Sequence, residues 1–263
     1  MIEISASAFD IVWSDLGLVA VPPPLEVPSA GATDRDRDEI RSTVYENLAE
    51  RGLFDGRLDP ALAERLGTLA GADVYVECEG LTGDGLLRAV AAAGGKRAVL
   101  AAQPSRTIGL SPIRGTEIFS AVVNLLPWEP GPGYGVTLPA AALRGDVEDP
   151  VFGDRGVAPQ AAGDVAMRER PVREVERGGS AAYERQIREV LAIETRPVLG
   201  AGQFSVRVRE GGRPRRVGGV SWFRTDVGSY IGFIAPGRGG QDWVTVAPAD
   251  SARVTARLAE FVS

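Results

Sequence analysis

The carboxylates, glycines and lone cysteine that could do chemistry in this sequence all have plainer roles available. Glu77 and Glu79 alternate along DVYVECE, which puts both on one face of a strand with Asp73 and Tyr75. Paired carboxylates about 5–9 Å apart can perform glycosidic acid/base chemistry. Neighbouring same-face positions of any strand meet that spacing, so the pattern predicts the solvent face of a half-buried strand. Cys78 falls with Val74 and Val76 on the opposite, apolar face and is expected to be a core residue rather than a nucleophile. GAGQFS (200–205) and GPGYG (131–135) each contain G-x-G. A phosphate-binding glycine loop follows a strand and opens a helix, so that helix N–H groups meet the phosphate. Both segments lead instead into extended, β-branched runs and are expected to be simple turns.

The composition removes further chemistry. There is no histidine, hence no imidazole base, triad or ligand. The single cysteine excludes an intramolecular disulfide and a thiolate cluster within one chain. Lys96 is the only lysine, which leaves little room for Ser–Lys chemistry. A net charge of −6 and a pI near 5.0 argue against a general nucleic-acid binder. The local cluster Arg213, Arg215 and Arg216 in GGRPRR reads as a solvated hairpin tip. Asp10 and Asp15 are placed on the outside of the first helix, with no special role. Of the tryptophans, Trp13 and Trp243 are expected in the core. Trp128, among prolines and glycines in PWEPGPGYG, is the best candidate for exposure. No enzymatic activity, metal or cofactor is expected.

With 263 residues, 44% hydrophobic and 24% charged, the chain can bury a sizeable globular core. No apolar run approaches the ~20 residues needed to span a bilayer, and the N-terminus lacks a basic n-region. A cytoplasmic location is expected. The arginine-heavy, Ala/Gly/Pro/Val-rich usage points to GC-rich coding and an actinobacterial source.

The elements that must position these residues fall into two similar series. SASAFDIVWSDLG reads as a helix capped by Ser5, with Phe9, Val12, Trp13 and Leu16 at helical spacing and Gly17 as its stop. Three prolines at 22–24 forbid helix in the next segment. Two more helices follow. One is capped by Thr33 with a stripe of Ile40, Val44 and Leu48; the other starts at Asp59-Pro60 and packs through Leu62, Leu66 and Leu69. From Asp73 the period becomes two. DVYVECE, LLRAVAAA, RAVLAA and TIGLS read as four strands, and RGTEIFSAVVNLL as a helix. FSVRVRE, VGGVSWF, SYIGFI and WVTVA repeat that order, followed by the helix DSARVTARLAEFV. TIGLSPIRGTEIFSAVVNLL and WVTVAPADSARVTARLAEFV align without a gap, Pro112 on Pro248, each marking a strand-to-helix junction. This predicts one α/β domain over 1–263 with a pseudo-twofold repeat and a shared antiparallel sheet. Its halves, 1–143 and 180–263, are joined by a flexible Gly/Pro/charge-rich stretch at 144–179. SAAYERQIREVLAIETRP resumes as a helix.

Read together, these segments resemble the EspG family of type VII (ESX) secretion chaperones. The resemblance is carried by FDIVWSDLGL with PLEVPSAGAT, YENLAERGLFDGRLDPALAERLGTLA, RAVLAAQPSRTIGLSPIR, GAGQFSVRVR, VSWFRTDVGSYI and DWVTVAPADSARVTARLAEFV. It covers nearly the whole chain in order, departing over about 146–179, and rests on many weak matches rather than one signature. It implies a central antiparallel sheet flanked by two helical bundles with quasi-twofold symmetry. It also implies a cytosolic chaperone that binds the hydrophobic helical tip of PPE proteins in PE–PPE heterodimers, without cofactor or catalysis. By the same resemblance, partner contact is expected at loops over 80–86 (Gly80, Leu81, Thr82, Gly83, Asp84, Gly85) and 94–97 (Lys96). The helix over 181–196 is expected to add Tyr183, Ile187 and Leu191. The alternative is a generic interaction module whose partner is not a PPE protein.

Overall fold

The computed structural model describes residues 1–140, 181–236 and 242–263; the stretch expected to be flexible, 144–179, lies outside them. The strands are β1 (Ile2–Ser5), β2 (Val74–Thr82), β3 (Gly85–Gly94), β4 (Arg97–Gln103), β5 (Thr107–Ile113), β6 (Val136–Pro139), β7 (Val198–Glu210), β8 (Arg213–Thr225), β9 (Gly228–Pro236) and β10 (Asp242–Pro248). The helices are α1 (Ala6–Asp15), α2 (Asp34–Glu50), α3 (Pro60–Gly71), α4 (Ile118–Val123), α5 (Ala181–Glu194) and α6 (Ser251–Ala259). The strands form one sheet in the order β1-β5-β4-β3-β2-β7-β8-β9-β10-β6. Outward from the β2–β7 junction the chain order is the same on both sides. Along the chain, β2 to β5 precede α4 and β7 to β10 precede α6, and LLRAVAAA is part of β3. Two four-residue strands, β1 and β6, were not foreseen and flank the sheet. Each is too short to show a period, and its partner is distant in sequence, as in the pairing of Ile4 with Ile108.

By backbone contacts the chain divides into two compact units. The larger comprises Met1–Gly135, Arg196–Phe233 and Val246–Ser263; the smaller comprises Val136–Thr195 and Ile234–Thr245. In the larger unit both faces of the sheet are covered. On one face α1, α2 and α3 bury Phe9, Trp13, Leu48, Leu62, Leu66 and Leu69 against Val90, Val99, Ile108 and Leu110. Phe9 and Trp13 stack with ring centroids 5.0 Å apart. On the other face α4 and α6 bury Val122, Val254 and Leu258 against Val76, Cys78, Phe204 and Val220.

The caps follow local chemistry. Ser5 accepts from Ala8 N, Asp59 accepts from Leu62 N ahead of Pro60, and Thr33 forms a capping box with Asp36. The first-helix carboxylates have more to do than expected. Asp10 accepts from Arg37 at 2.7 Å and from the Ala30 N–H, and Asp15 accepts from Arg41 and Tyr45. They fasten α1 to α2. Arg209 of β7 donates to the Ala70 and Ala72 carbonyls at the end of α3 and to the Tyr75 hydroxyl, tying the helical layer to the second strand series. In the smaller unit α5 packs on β6 with Val190 and Leu138 each 1% exposed, and Thr137 and Thr245 share a hydroxyl hydrogen bond at 2.9 Å.

Candidate protein-binding surface

Residues 80–85 are not a loop. Gly80, Leu81 and Thr82 end β2, Gly85 begins β3, and only Gly83 and Asp84 turn between them. Gly85 adopts φ +113°, a conformation that suits glycine. Thr82 Oγ1 closes the turn by donating to Gly85 O (3.0 Å) and accepting from Asp84 N (3.3 Å). Leu81 faces Leu86 across this hairpin and Ala201 on its other side. The tip is therefore a paired strand end, held from both neighbours. Leu81 is 62% exposed and Leu86 41%, an apolar pair presented to water at the end of a central strand.

Lys96 is exposed in the β3–β4 turn. The length of β3 separates it from Leu81, roughly 30 Å at about 3.3 Å per residue, so the two positions cannot share one contact. Leu191 of α5 is 44% exposed. Tyr183 and Ile187 are on the same helix, but their side chains lie outside the described residues.

Beneath the tip lies a feature the sequence reading missed. GAGQFS is part of β7 rather than a turn, and Gly200 and Gly202, two apart, leave one face of that strand bare. Gly80 pairs with Gly202. The Trp222 indole lies across this bare patch, 5% exposed. A Cβ on Gly80 would stand 2.5 Å from Trp222 Cζ2, and one on Gly202 would stand 2.9 Å from Cε2 and 2.2 Å from Glu79 O. Trp128 meets Trp222 edge-on at 6.5 Å and donates its indole N–H to Val123 O at 2.8 Å. It is thus half-buried, not the exposed side chain expected from its proline and glycine neighbours, because the end of α4 folds it onto the sheet. Glycines at i and i+2 in an extended run were the available signal for the slot. Beside the two indoles is a cavity of about 340 Å³, lined among others by Leu87, Leu125, Leu126 and Arg224.

Among the described residues, Cys78 and Glu77 of β2 are buried titratable groups. Burial pushes the Cys78 thiol up to about 12, leaving it protonated at neutral pH. Glu77 does not face solvent as expected. It is 6% exposed and pairs with Arg207 at 2.7 Å, because the helical layer extends over the middle of β2. Burial raises its pKa, and the neighbouring Arg207 pulls it back down. Glu79, in contrast, reaches Arg88 at 3.6 Å near the sheet end. Gly131 of GPGYG abuts the Tyr230 ring, where any Cβ would collide. Among the described residues no group of His, Cys, Asp or Glu is arranged to hold a metal ion, and no helix is long and apolar enough to cross a membrane.

The sequence model of the EspG family matches residues 5–260. The chain belongs to the EspG family. A comparison with curated protein sequences gives no match. Among solved structures, the chain shares its fold with the Mycobacterium tuberculosis type VII secretion system chaperone EspG5, solved in complex with a PE25–PPE41 dimer. The TM-score is 0.68 at 12% identity, over 99% of this chain and 95% of that one. The antiparallel sheet with helical layers expected from the family resemblance is thus the architecture found.

Proposed function

We propose that this EspG-family chain is a cytosolic type VII secretion chaperone. It holds a PE–PPE-like substrate by its hydrophobic helical tip, keeps it soluble until export, and performs no chemistry of its own. The observation that carries this reading is the family match across nearly the full length. The shared fold with EspG5, a protein solved with a PE–PPE dimer bound, supports it. So does the exposed Leu81–Leu86 pair, which offers an apolar partner a place to bury surface. Fully covering one leucine contributes about 1.5–3 kcal/mol. Because the hairpin tip is already ordered by strands on both sides, binding there loses little conformational freedom. Leu191, with Tyr183 and Ile187 of α5, supplies a second apolar contact in this proposal. The two strand series are proposed to form one quasi-twofold domain, supported by their mirrored order in the sheet.

Leu81→Asp tests the contact. Calorimetry with a co-encoded PE–PPE heterodimer is expected to show binding weakened at least about tenfold, since a buried carboxylate would meet apolar surface. The circular dichroism spectrum and urea midpoint should stay those of wild type. Unchanged affinity would remove Leu81 from the interface. A wild-type chain that binds no co-encoded PE–PPE protein would end the chaperone reading itself.

A further inference from the structure

We propose that the cavity beside Trp128 and Trp222 is a second anchoring point for the substrate protein, seating one large apolar side chain whose neighbouring carboxylate pairs with Arg224. This inference rests on the chaperone reading above and adds a site beside the hairpin tip that carries Leu81.

Four observations lead to it. The cavity lining includes the large apolar side chains of Leu87, Leu126, Trp128 and Trp222. Leu86 and Leu199, which also line it, are 41% and 48% exposed, so its mouth is an apolar surface in contact with water. Arg224 is half-buried against this surface and makes no hydrogen bond or ion pair among the described residues; its neighbour Asp226 is taken by Arg196 at 3.3 Å. The cavity is continuous with the hairpin tip, since Thr82, Gly83, Asp84, Gly85 and Leu86 all border it.

Size and charge name the occupant. At about 340 Å³ the cavity is near the floor of the roughly 300–1,000 Å³ common for small-molecule sites. That suits a protein side chain inserted as an anchor, the arrangement that concentrates binding energy at protein interfaces. An unpaired guanidinium partly removed from water gains from a carboxylate brought to it, through a charge-assisted and often bidentate contact. Asp84, at the exposed turn, also lacks an ion pair among the described residues, but it stays hydrated and gains less from a partner. The matching substrate segment therefore carries a large apolar residue beside an acidic one.

The test is calorimetry of the full chain against a co-encoded PE–PPE heterodimer, with Arg224→Gln, Arg224→Glu and the cavity-filling Leu87→Phe. Arg224→Gln is expected to weaken binding about tenfold and Arg224→Glu about a hundredfold. Binding by Arg224→Glu should partly recover when an acidic residue of the substrate tip becomes lysine. Leu87→Phe should weaken binding about tenfold, and all three variants should keep the wild-type dichroism spectrum. Wild-type affinity in Arg224→Gln and Leu87→Phe, with Leu81→Asp still impaired, would overturn the second anchor while leaving the chaperone reading intact. Stoichiometric binding of laurate that these variants lose, with heterodimer affinity unchanged, would overturn it and assign the cavity to a small amphiphile. If wild type fails to bind the heterodimer, the chaperone reading falls and this inference with it.

Discussion

Glu77 and Arg207 meet across the two central strands, beneath the helical layer, where a carboxylate is costly to ionise without its partner. The linkage follows from the direction of the shift. A carboxyl whose folded pKa lies above its unfolded value binds protons more readily in the folded state. Its contribution to stability is therefore fully present below the unfolded pKa and lost as pH rises through the folded one. Arg207 limits that loss by pulling the pKa back down. Arg207→Met removes the partner and leaves the carboxylate alone, which is expected to cost about 3–5 kcal/mol at neutral pH. The deficit relative to wild type should shrink at pH 5, where the folded variant takes up a proton. Urea unfolding at pH 5 and pH 8 checks both the size and the sign; a deficit equal at the two pH values would show that Glu77 ionisation is not involved. Cys78 illustrates the same influence of burial in a group without a charged partner, held as a thiol in the apolar layer.

Among the elements, the decisive contact is the close passage of β2, β7 and the Trp222 indole of β8. Gly80, Gly200 and Gly202 remove the side chains that would hold the indole off the sheet, so Trp222 can lie flat and Trp128 can pack on its edge. Gly202→Val would drive a Cβ to 2.2 Å from the Glu79 carbonyl, a backbone atom that cannot swing aside. A loss of at least about 3 kcal/mol is expected, at the upper end for overpacking. Gly83→Ala, one turn away with open space around its Cβ, should change stability by less than about 0.5 kcal/mol. Urea midpoints of the two variants make the comparison, and equal effects would contradict a tight slot. The same passage explains why the hairpin tip is a rigid platform: Leu81 is carried by a strand whose neighbours are fixed on both sides.

At the scale of the molecule, the two sequence halves are joined through the β2–β7 ladder, which runs from Val74–Val208 to Leu81–Ala201. The larger compact unit draws on three separate stretches of chain, so it cannot form from the first alone. A fragment ending at Gly135 would leave β2 as an open, apolar edge, and such edges pair with other chains. It is expected to aggregate when expressed alone and to be recovered in the soluble fraction when residues 181–263 are co-expressed. A monodisperse, folded 1–135 fragment by size exclusion and dichroism would refute this. The family match from 5 to 260 agrees with a unit that needs both halves.

What the sequence alone determined was local: the helix starts at Ser5, Thr33 and Asp59, the change of period at Asp73, and the repeated strand-then-helix order. Caps and side-chain periods act over a few residues, so they can be read without knowing what packs on them. Together with the accumulated family resemblance, they were enough for the architecture and the family. Tertiary structure decided the rest. Glu77 and Cys78 alternate on one strand, yet both are buried, because helices cover both sheet faces and a two-residue period assumes that one face is wet. The glycines at 200 and 202 look like turn residues until Trp222, twenty residues on, is seen to need their bare face. The loop expected at 80–85 became a strand end because β7, more than a hundred residues later, pairs with it. Each of these outcomes depends on a partner distant in sequence, and no local pattern of residues specifies which distant segment will arrive.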